Sequence, residues 1–216
     1  LSNEYRYIDA NKPNSDFKLI QKREKNLEYS VYHYEDYFYI LTNYDAKNFR
    51  LMRTLVSKPQ KVYWEEIVPH KDDVLIEGID IFQDYLVIEE RQSGLTQLKV
   101  IEWNTNDSYY IPFDDPAYYV STSSNIEFNT QKLRFYYSSM TTPSSVFDFN
   151  MKDQSRKLLK QDQVLDDDFS PTNYESKRYY VKARDGKNIP ISLVHKKGIK
   201  KDSTNPLLLY GYGSYG

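Results

Sequence analysis

The chain has 216 residues, of which 28% are charged, with a net charge of −2 and a mean hydropathy of −0.76. Zero cysteines exclude a disulfide framework and every thiolate site, and the near-neutral charge argues against a generic nucleic-acid or membrane-surface binder. No apolar run approaches the ~18 residues of a membrane helix; the notable feature is aromatic content, 22 Tyr and 10 Phe beside only 7 Gly.

The first residues, Leu1-Ser2-Asn3-Glu4-Tyr5, carry neither an initiator Met nor a basic region followed by an apolar one, so the expectation is a chain that starts mid-protein. Glu4 to Asp9 and Phe17 to Gln21 read as two short strands. Glu28 to Tyr34, Tyr37 to Asn43, Asn48 to Leu55 and Lys61 to Val68 follow, aromatic and β-branched, often alternating, with turns such as Asn43-Tyr44-Asp45 and Ser57-Lys58-Pro59 between them. The best helix candidate is Met151 to Leu165, although Asp153, Ser155 and Arg156 suit a hairpin turn at least as well. The chain is expected to be all-β.

The strands repeat. Phe38-Tyr39-Ile40-Leu41 recurs as Tyr85-Leu86-Val87-Ile88 after 47 residues and as Leu133-Arg134-Phe135-Tyr136 after a further 48. Each block meets a polar turn and then a second strand: Phe49 to Met52, Gln97 to Val100, Val146 to Phe149. A closing arm follows in each unit, at Val62-Tyr63-Trp64, Tyr109-Tyr110-Ile111 and Lys157-Leu158-Leu159. Four strands per ~40–50 residues is the period of a propeller blade, because one four-stranded sheet cannot bury both faces without neighbours. About three and a half blades are expected, ending near Lys160. A β-sandwich with coincidental spacing is the alternative, since propellers close with about four to eight blades.

Asp166-Asp167-Asp168-Phe169-Ser170-Pro171 reads as a linker. Three adjacent carboxylates could suggest a metal site, but the glycine of an EF-hand loop is missing. Beyond it, Tyr179 to Ala183 and Ile189 to His195 are strands joined by the turn Arg184-Asp185-Gly186-Lys187, Asp-Gly being a strong hairpin signal. A basic loop, His195 to Lys201, precedes Pro206-Leu207-Leu208-Leu209-Tyr210, which reads as a fully buried strand running into Gly211-Tyr212-Gly213-Ser214-Tyr215-Gly216. Three of the seven glycines lie in these last six residues. Glycine lets backbone approach a ligand closely, and α/β enzymes place binding groups where a buried strand breaks into such a loop. A glycine-rich tail is the plainer reading.

These residues resemble the prolyl oligopeptidase family of serine peptidases, most closely its oligopeptidase B branch. The resemblance is carried by Phe38 to Asn43 with Asn48-Phe49, Pro69-His70, Leu75 to Asp80, Tyr110 to Asp114, Ser138 to Pro143 and Val146 to Met151. Its strongest matches are Ala183-Arg184-Asp185-Gly186 with Ile189 to Val194, and Pro206 to Gly216. It implies a seven-bladed propeller capping an α/β-hydrolase domain. This chain would then hold the second half of the propeller (residues 1–165), a hinge (166–173) and the first three strands of the catalytic domain (174–216). The activity implied is hydrolysis of short peptides after Arg or Lys, with the propeller restricting access; prolyl specificity is a lesser alternative, and a non-catalytic propeller that binds partners on its loops is the competing class.

By the same resemblance, Tyr212 matches the tyrosine that completes the oxyanion hole, Gly211 and Gly213 let its loop come close, and Tyr215 matches an aromatic lining the subsite for the residue before the scissile bond. The nucleophile elbow G-x-S-x-G occurs nowhere in the 216 residues, and His33, His70 and His195 precede the place of a triad histidine, so the chain alone is expected to be inactive. His33 and His70 read as structural or surface residues and His195 as solvent-exposed. The implied partners are short basic peptides and the remaining propeller half and catalytic domain of the same protein, not nucleic acid or membrane. No cofactor or metal is indicated, and the expected location is cytoplasmic.

Overall fold

The computed structural model describes residues 1–166 and 168–211. Its sheets are antiparallel throughout. Strands β1 (Arg6–Tyr7) and β2 (Lys18–Leu19) form a two-stranded piece. Three four-stranded meanders follow, which we call blades A, B and C. Blade A is β3 (Tyr29–Tyr34), β4 (Tyr37–Thr42), β5 (Arg50–Leu55) and β6 (Glu65–Val68). Blade B is β7 (Val74–Ile81), β8 (Tyr85–Gln92), β9 (Leu95–Glu102) and β10 (Ser108–Tyr110). Blade C is β11 (Tyr118–Thr122), β12 (Lys132–Ser139), β13 (Ser145–Asn150) and β14 (Arg156–Gln161). A separate hairpin, β15 (Tyr174–Lys182) with β16 (Asn188–Lys196), ends the strand order. Three four-stranded sheets and a two-stranded piece are the partial propeller the repeat implies, and the sandwich alternative falls.

The alternating residues explain why the blades stack. In β4, Phe38 and Ile40 face the two-stranded piece, in a cluster with Ile20, Tyr29 and Trp64. Their neighbours Tyr39 and Leu41 face blade B, against Ile76, Ile79, Leu86 and Ile88. In β8 the pattern repeats: Leu86 and Ile88 turn back to blade A, while Tyr85 and Val87 pack on Val120, Leu133 and Phe135 of blade C. Successive side chains point to opposite faces of a strand, so a strand apolar at every position must be covered on both sides. The tyrosines place their rings in these seams and their hydroxyls on polar partners at the rims. Tyr29 donates to the Gln21 carbonyl at 2.7 Å, Tyr109 to Met151 at 2.6 Å and Tyr34 to Gln83 at 2.9 Å.

Local departures have local causes. Residues Val62-Tyr63-Trp64 are not a closing strand: Lys61–Tyr63 is a 3₁₀ turn, and the fourth strand is Glu65–Val68. The indole N–H of Trp64 donates to the Pro59 carbonyl at 2.8 Å and its ring packs on Tyr29, which holds the chain in the turn. Met151 to Leu165 is not a helix. Side-chain oxygens of Asn150 and Asp153 accept the backbone N–H groups of Lys152 and Ser155, both at 2.9 Å, and Gln154 sits at φ 59°, so the chain reverses into β14.

Residue Phe128, in the connection from β11 to β12, lies 5.4 Å from the Tyr34 ring of blade A, while its carbonyl accepts the Gln83 N–H of blade B at 3.0 Å. Blades A and C are separated by blade B, so a contact between them places these first-hairpin turns beside the propeller axis. The β4–β5, β8–β9 and β12–β13 turns lie at the opposite ends of the same strands.

Pro206–Tyr210 is the clearest difference from expectation. It forms no strand, and Leu207, Leu208 and Leu209 are 76%, 90% and 82% exposed. A strand needs a neighbour for its backbone N–H and C=O groups, and no described residue pairs with this one.

Candidate functional site

The predicted binding loop begins at Gly211, the last described residue, which is exposed and has open space where a Cβ would sit. Tyr212, Gly213 and Tyr215, and Ser214 with them, lie outside the described residues. The hairpin that leads toward them is well defined. Gly186 N–H donates to Ala183 at 2.9 Å, Ala183 N–H to Lys187 at 2.8 Å, and Gly186 has φ +84°. That is a type I turn closed by a left-handed residue, a position where glycine avoids the Cβ clash.

The three histidines are far apart in the fold. His33 is exposed on β3 beside Phe38, and His70 is 4.0 Å from Asp72 in the loop before β7. His195 is not solvent-exposed as expected: its side chain is only 10% exposed. Its Nδ1–H donates to the Lys196 carbonyl at 2.9 Å, and Nε2 stands 3.5 Å from Glu175 on the facing strand. Register explains the difference, because Glu175 and His195 are direct cross-strand partners. Glu175 also accepts from Lys177 at 2.8 Å, and that bond holds its carboxyl below the usual carboxylate range. Among the described residues no group of three or more His, Cys, Asp or Glu is arranged to hold a metal ion.

Carboxylates between blades B and C escaped the sequence reading. Asp80 on β7 and Glu89 on β8 face the β11 end of blade C, and burial raises both carboxyls above their ordinary range. Glu89 accepts the Thr122 N–H at 3.1 Å, whereas one Asp80 oxygen is buried without a partner. Glu77 instead holds Arg91 through two bonds of 2.8 and 3.1 Å. The available signal was Glu89 directly after the apolar run Leu86-Val87-Ile88. Asp115 is a second missed node: it accepts from Tyr137 at 2.6 Å, Thr142 at 3.2 Å and Thr141 at 3.3 Å, pinning the loop before β11 to the β12–β13 turn. Burial first, and this bond second, push the Tyr137 phenol far above its usual pKa.

The hairpin meets blade B at the β8–β9 turn. Ser93 and Gly94 have φ of 51° and 75°, the two-residue form whose twist matches the flanking strands. Arg178 of β15 donates to the Ser93 carbonyl. Chemically, the described residues offer half-buried carboxylates between blades B and C, a rigid blade stack and this junction, but no paired nucleophile and base.

Comparison with known proteins agrees with this geometry. Residues 1–162 match the family model of the prolyl oligopeptidase N-terminal beta-propeller domain. Dipeptidyl aminopeptidase BI of Pseudoxanthomonas mexicana is 38% identical over 218 aligned residues, covering 100% of this chain and 30% of that protein. Protease 2 of Moraxella lacunata is 30% identical over 216 residues, again 100% of this chain and 30% of the relative. The chain thus spans 30% of the length of these two curated relatives. Among solved structures, oligopeptidase B from Trypanosoma brucei, in its closed form with covalently bound antipain, superposes with a TM-score of 0.88 at 31% identity, over 100% of this chain and 32% of that one. Oligopeptidase B from Leishmania major gives 0.83 at 26% identity, over 93% and 30%. The chain belongs to the prolyl oligopeptidase family, and its blades are part of that family's propeller.

Proposed function

We propose that the full-length protein is a serine oligopeptidase that cleaves short peptides after Arg or Lys, its propeller limiting what reaches the active centre. In this reading residues 1–165 are the later half of the propeller, 166–173 the hinge and 174–216 the opening of an α/β-hydrolase domain. One observation carries it. The likeness to protease 2 and to the T. brucei oligopeptidase B does not stop at residue 162, where the propeller match ends, but covers the whole chain at 30% and 31% identity. Residues 174–216 therefore have counterparts in those peptidases.

The chemistry assigned to this chain is modest. Tyr212 would donate its phenolic hydrogen to the oxyanion formed as the scissile carbonyl becomes tetrahedral. Such a donor acts where charge develops and contributes about 3–4 kcal/mol to the transition state. Gly211 and Gly213 would allow the loop its close approach, and Tyr215 would line the neighbouring subsite. Nucleophile and triad partners come from the parent protein.

The 38% identity to a protein named dipeptidyl aminopeptidase BI favours a second reading, release of dipeptides from free amino termini. A panel of three fluorogenic substrates separates the two in the full-length protein: an N-blocked Arg-Arg peptide, an N-blocked peptide ending in Pro, and a dipeptide with a free amino terminus. The proposal expects kcat/KM highest on the first by at least about tenfold. Preference for the third establishes the dipeptidyl reading, preference for the second prolyl specificity. Hydrolysis of none leaves a binding scaffold.

A further inference from the structure

The blades and the β15–β16 hairpin are joined very differently. Blades A, B and C share continuous apolar seams, each built from fully buried side chains. No described apolar cluster crosses from a blade to the hairpin, and among the described residues a single hydrogen bond does, from Arg178 Nη2 to the Ser93 carbonyl. The fit around that bond is close. A Cβ added at Gly94 would stand 3.1 Å from Arg178 Nη2 and 3.5 Å from Pro190 Cγ, and Gly94 has φ +75°, so a side chain there crowds the guanidinium and strains the turn as well. The other edge of the guanidinium is half-used: Nη1 donates to Ser192 at a long 3.3 Å, and Nε is buried with no acceptor.

From this we infer that Arg178 is a reversible latch, a positioning residue whose hold on the Ser93–Gly94 turn sets how often the hairpin unit parts from blade B. This deepens the proposed function and rests on its reading that β15–β16 opens the catalytic domain. The energetics suit a device that opens. The acceptor is a neutral carbonyl rather than a carboxylate, so the closed state gains one bond of moderate strength. Closing also removes water from an N–H that finds no replacement, which offsets part of that gain, and opening restores it. A junction held by one such bond among the described residues opens at lower cost than the apolar seams between blades. Since the propeller limits what reaches the active centre in this reading, the latch would set the length of peptide admitted.

The test uses the full-length protein and three variants: Arg178→Met, which keeps the stem and removes the donors; Arg178→Lys, which keeps the charge and an ammonium donor; and Gly94→Ala, which crowds the seat and also strains the turn at φ +75°. Two readouts are taken: the rate at which an added protease nicks segment 163–173, and the ratio of kcat/KM for a ~30-residue peptide over a ~5-residue peptide with the same cleavage site. Expected for Arg178→Met is nicking faster by about tenfold, the weight of one charged hydrogen bond, with a raised long-to-short ratio and an unchanged urea midpoint for the blades. Arg178→Lys should recover most of the wild-type behaviour, and Gly94→Ala should shift the same way as Arg178→Met. Unchanged nicking in Arg178→Met overturns the latch, and so does faster nicking in that variant accompanied by an equal loss of blade stability. A wild-type protein without peptidase activity refutes the proposed function instead, and the nicking comparison still decides the latch.

Discussion

Two neighbouring residues of β12 offer a sharp test of the stacked-blade account. Phe135 is fully buried in the seam between blades B and C, with its ring 5.5 Å from Phe147 and 5.7 Å from Phe113. The Arg156 guanidinium lies 5.6 Å from the same ring. Tyr136, one position on, points to the opposite face and is 45% exposed, on the side where Arg134 pairs with Asp148. Truncating Phe135 to alanine removes a large apolar body from a site with rigid sheets on both sides, where collapse into the void is limited. The cost should be about 4 kcal/mol. Tyr136→Ala should cost under about 1 kcal/mol, because water already reaches the ring. At a urea slope of about 2–3 kcal/mol per M, the first variant moves the unfolding midpoint down by about 1.5 M and the second by under 0.5 M. Equal losses, or a loss under about 1 kcal/mol at Phe135, would refute the assignment of β12 faces and the seam built on it.

Three further outcomes follow from the same geometry. Tyr29→Phe should lose about 1–3 kcal/mol in thermal or urea unfolding despite a near-identical volume. The phenol both donates to Gln21 and accepts the Tyr5 N–H at 2.9 Å, and its loss strands two backbone groups. Glu89→Gln should stabilise the protein above the carboxylate range. Burial raises the Glu89 carboxyl in the fold, so its contribution is fully present below the ordinary Glu value of about 4.3 and is lost as pH rises from there through the higher folded value. The variant's advantage, of order 1 kcal/mol at pH 7, should vanish near pH 3.5 in melts at the two pH values; an advantage independent of pH would contradict that cause. Tyr212→Phe in the full-length protein should, under the proposed function, lower kcat by about 10²-fold with KM little changed, as expected for a donor that acts only on the developing oxyanion; unchanged turnover excludes that role.

Much of the blade architecture was legible because it is repetitive and local. The recurrence of Phe38 to Leu41 at Tyr85 to Ile88 and Leu133 to Tyr136 reflects a physical demand: each second strand is covered on both faces, so it must be apolar at successive positions. The Asp185-Gly186 turn was legible for a similar reason, since the positive φ at Gly186 is a property of one residue. What stayed hidden depends on distant partners. Trp64 looked like a strand residue, and only Pro59 and Tyr29 make it the anchor of a turn. His195 looked exposed beside a basic loop until the register brought Glu175 against it. Nothing in the segments around Asp80 and Glu89 marks them, because the burial by blade C comes from outside those segments. Arg178 and Ser93 are 85 residues apart, and no local pattern links them. Pro206–Tyr210 shows the converse: its composition is that of a buried strand, but burial requires a neighbour, and the described residues supply none.

The central claim is that these blades belong to a peptidase and filter its substrates by size. It is tested most directly by giving the full-length protein one cleavage site in two settings: a short peptide of about eight residues centred on Arg-Arg, and the same eight residues set in a loop of a stably folded protein. The account predicts rapid cleavage of the peptide and kcat/KM lower by at least about 10³-fold for the folded protein. Comparable rates on both would contradict it.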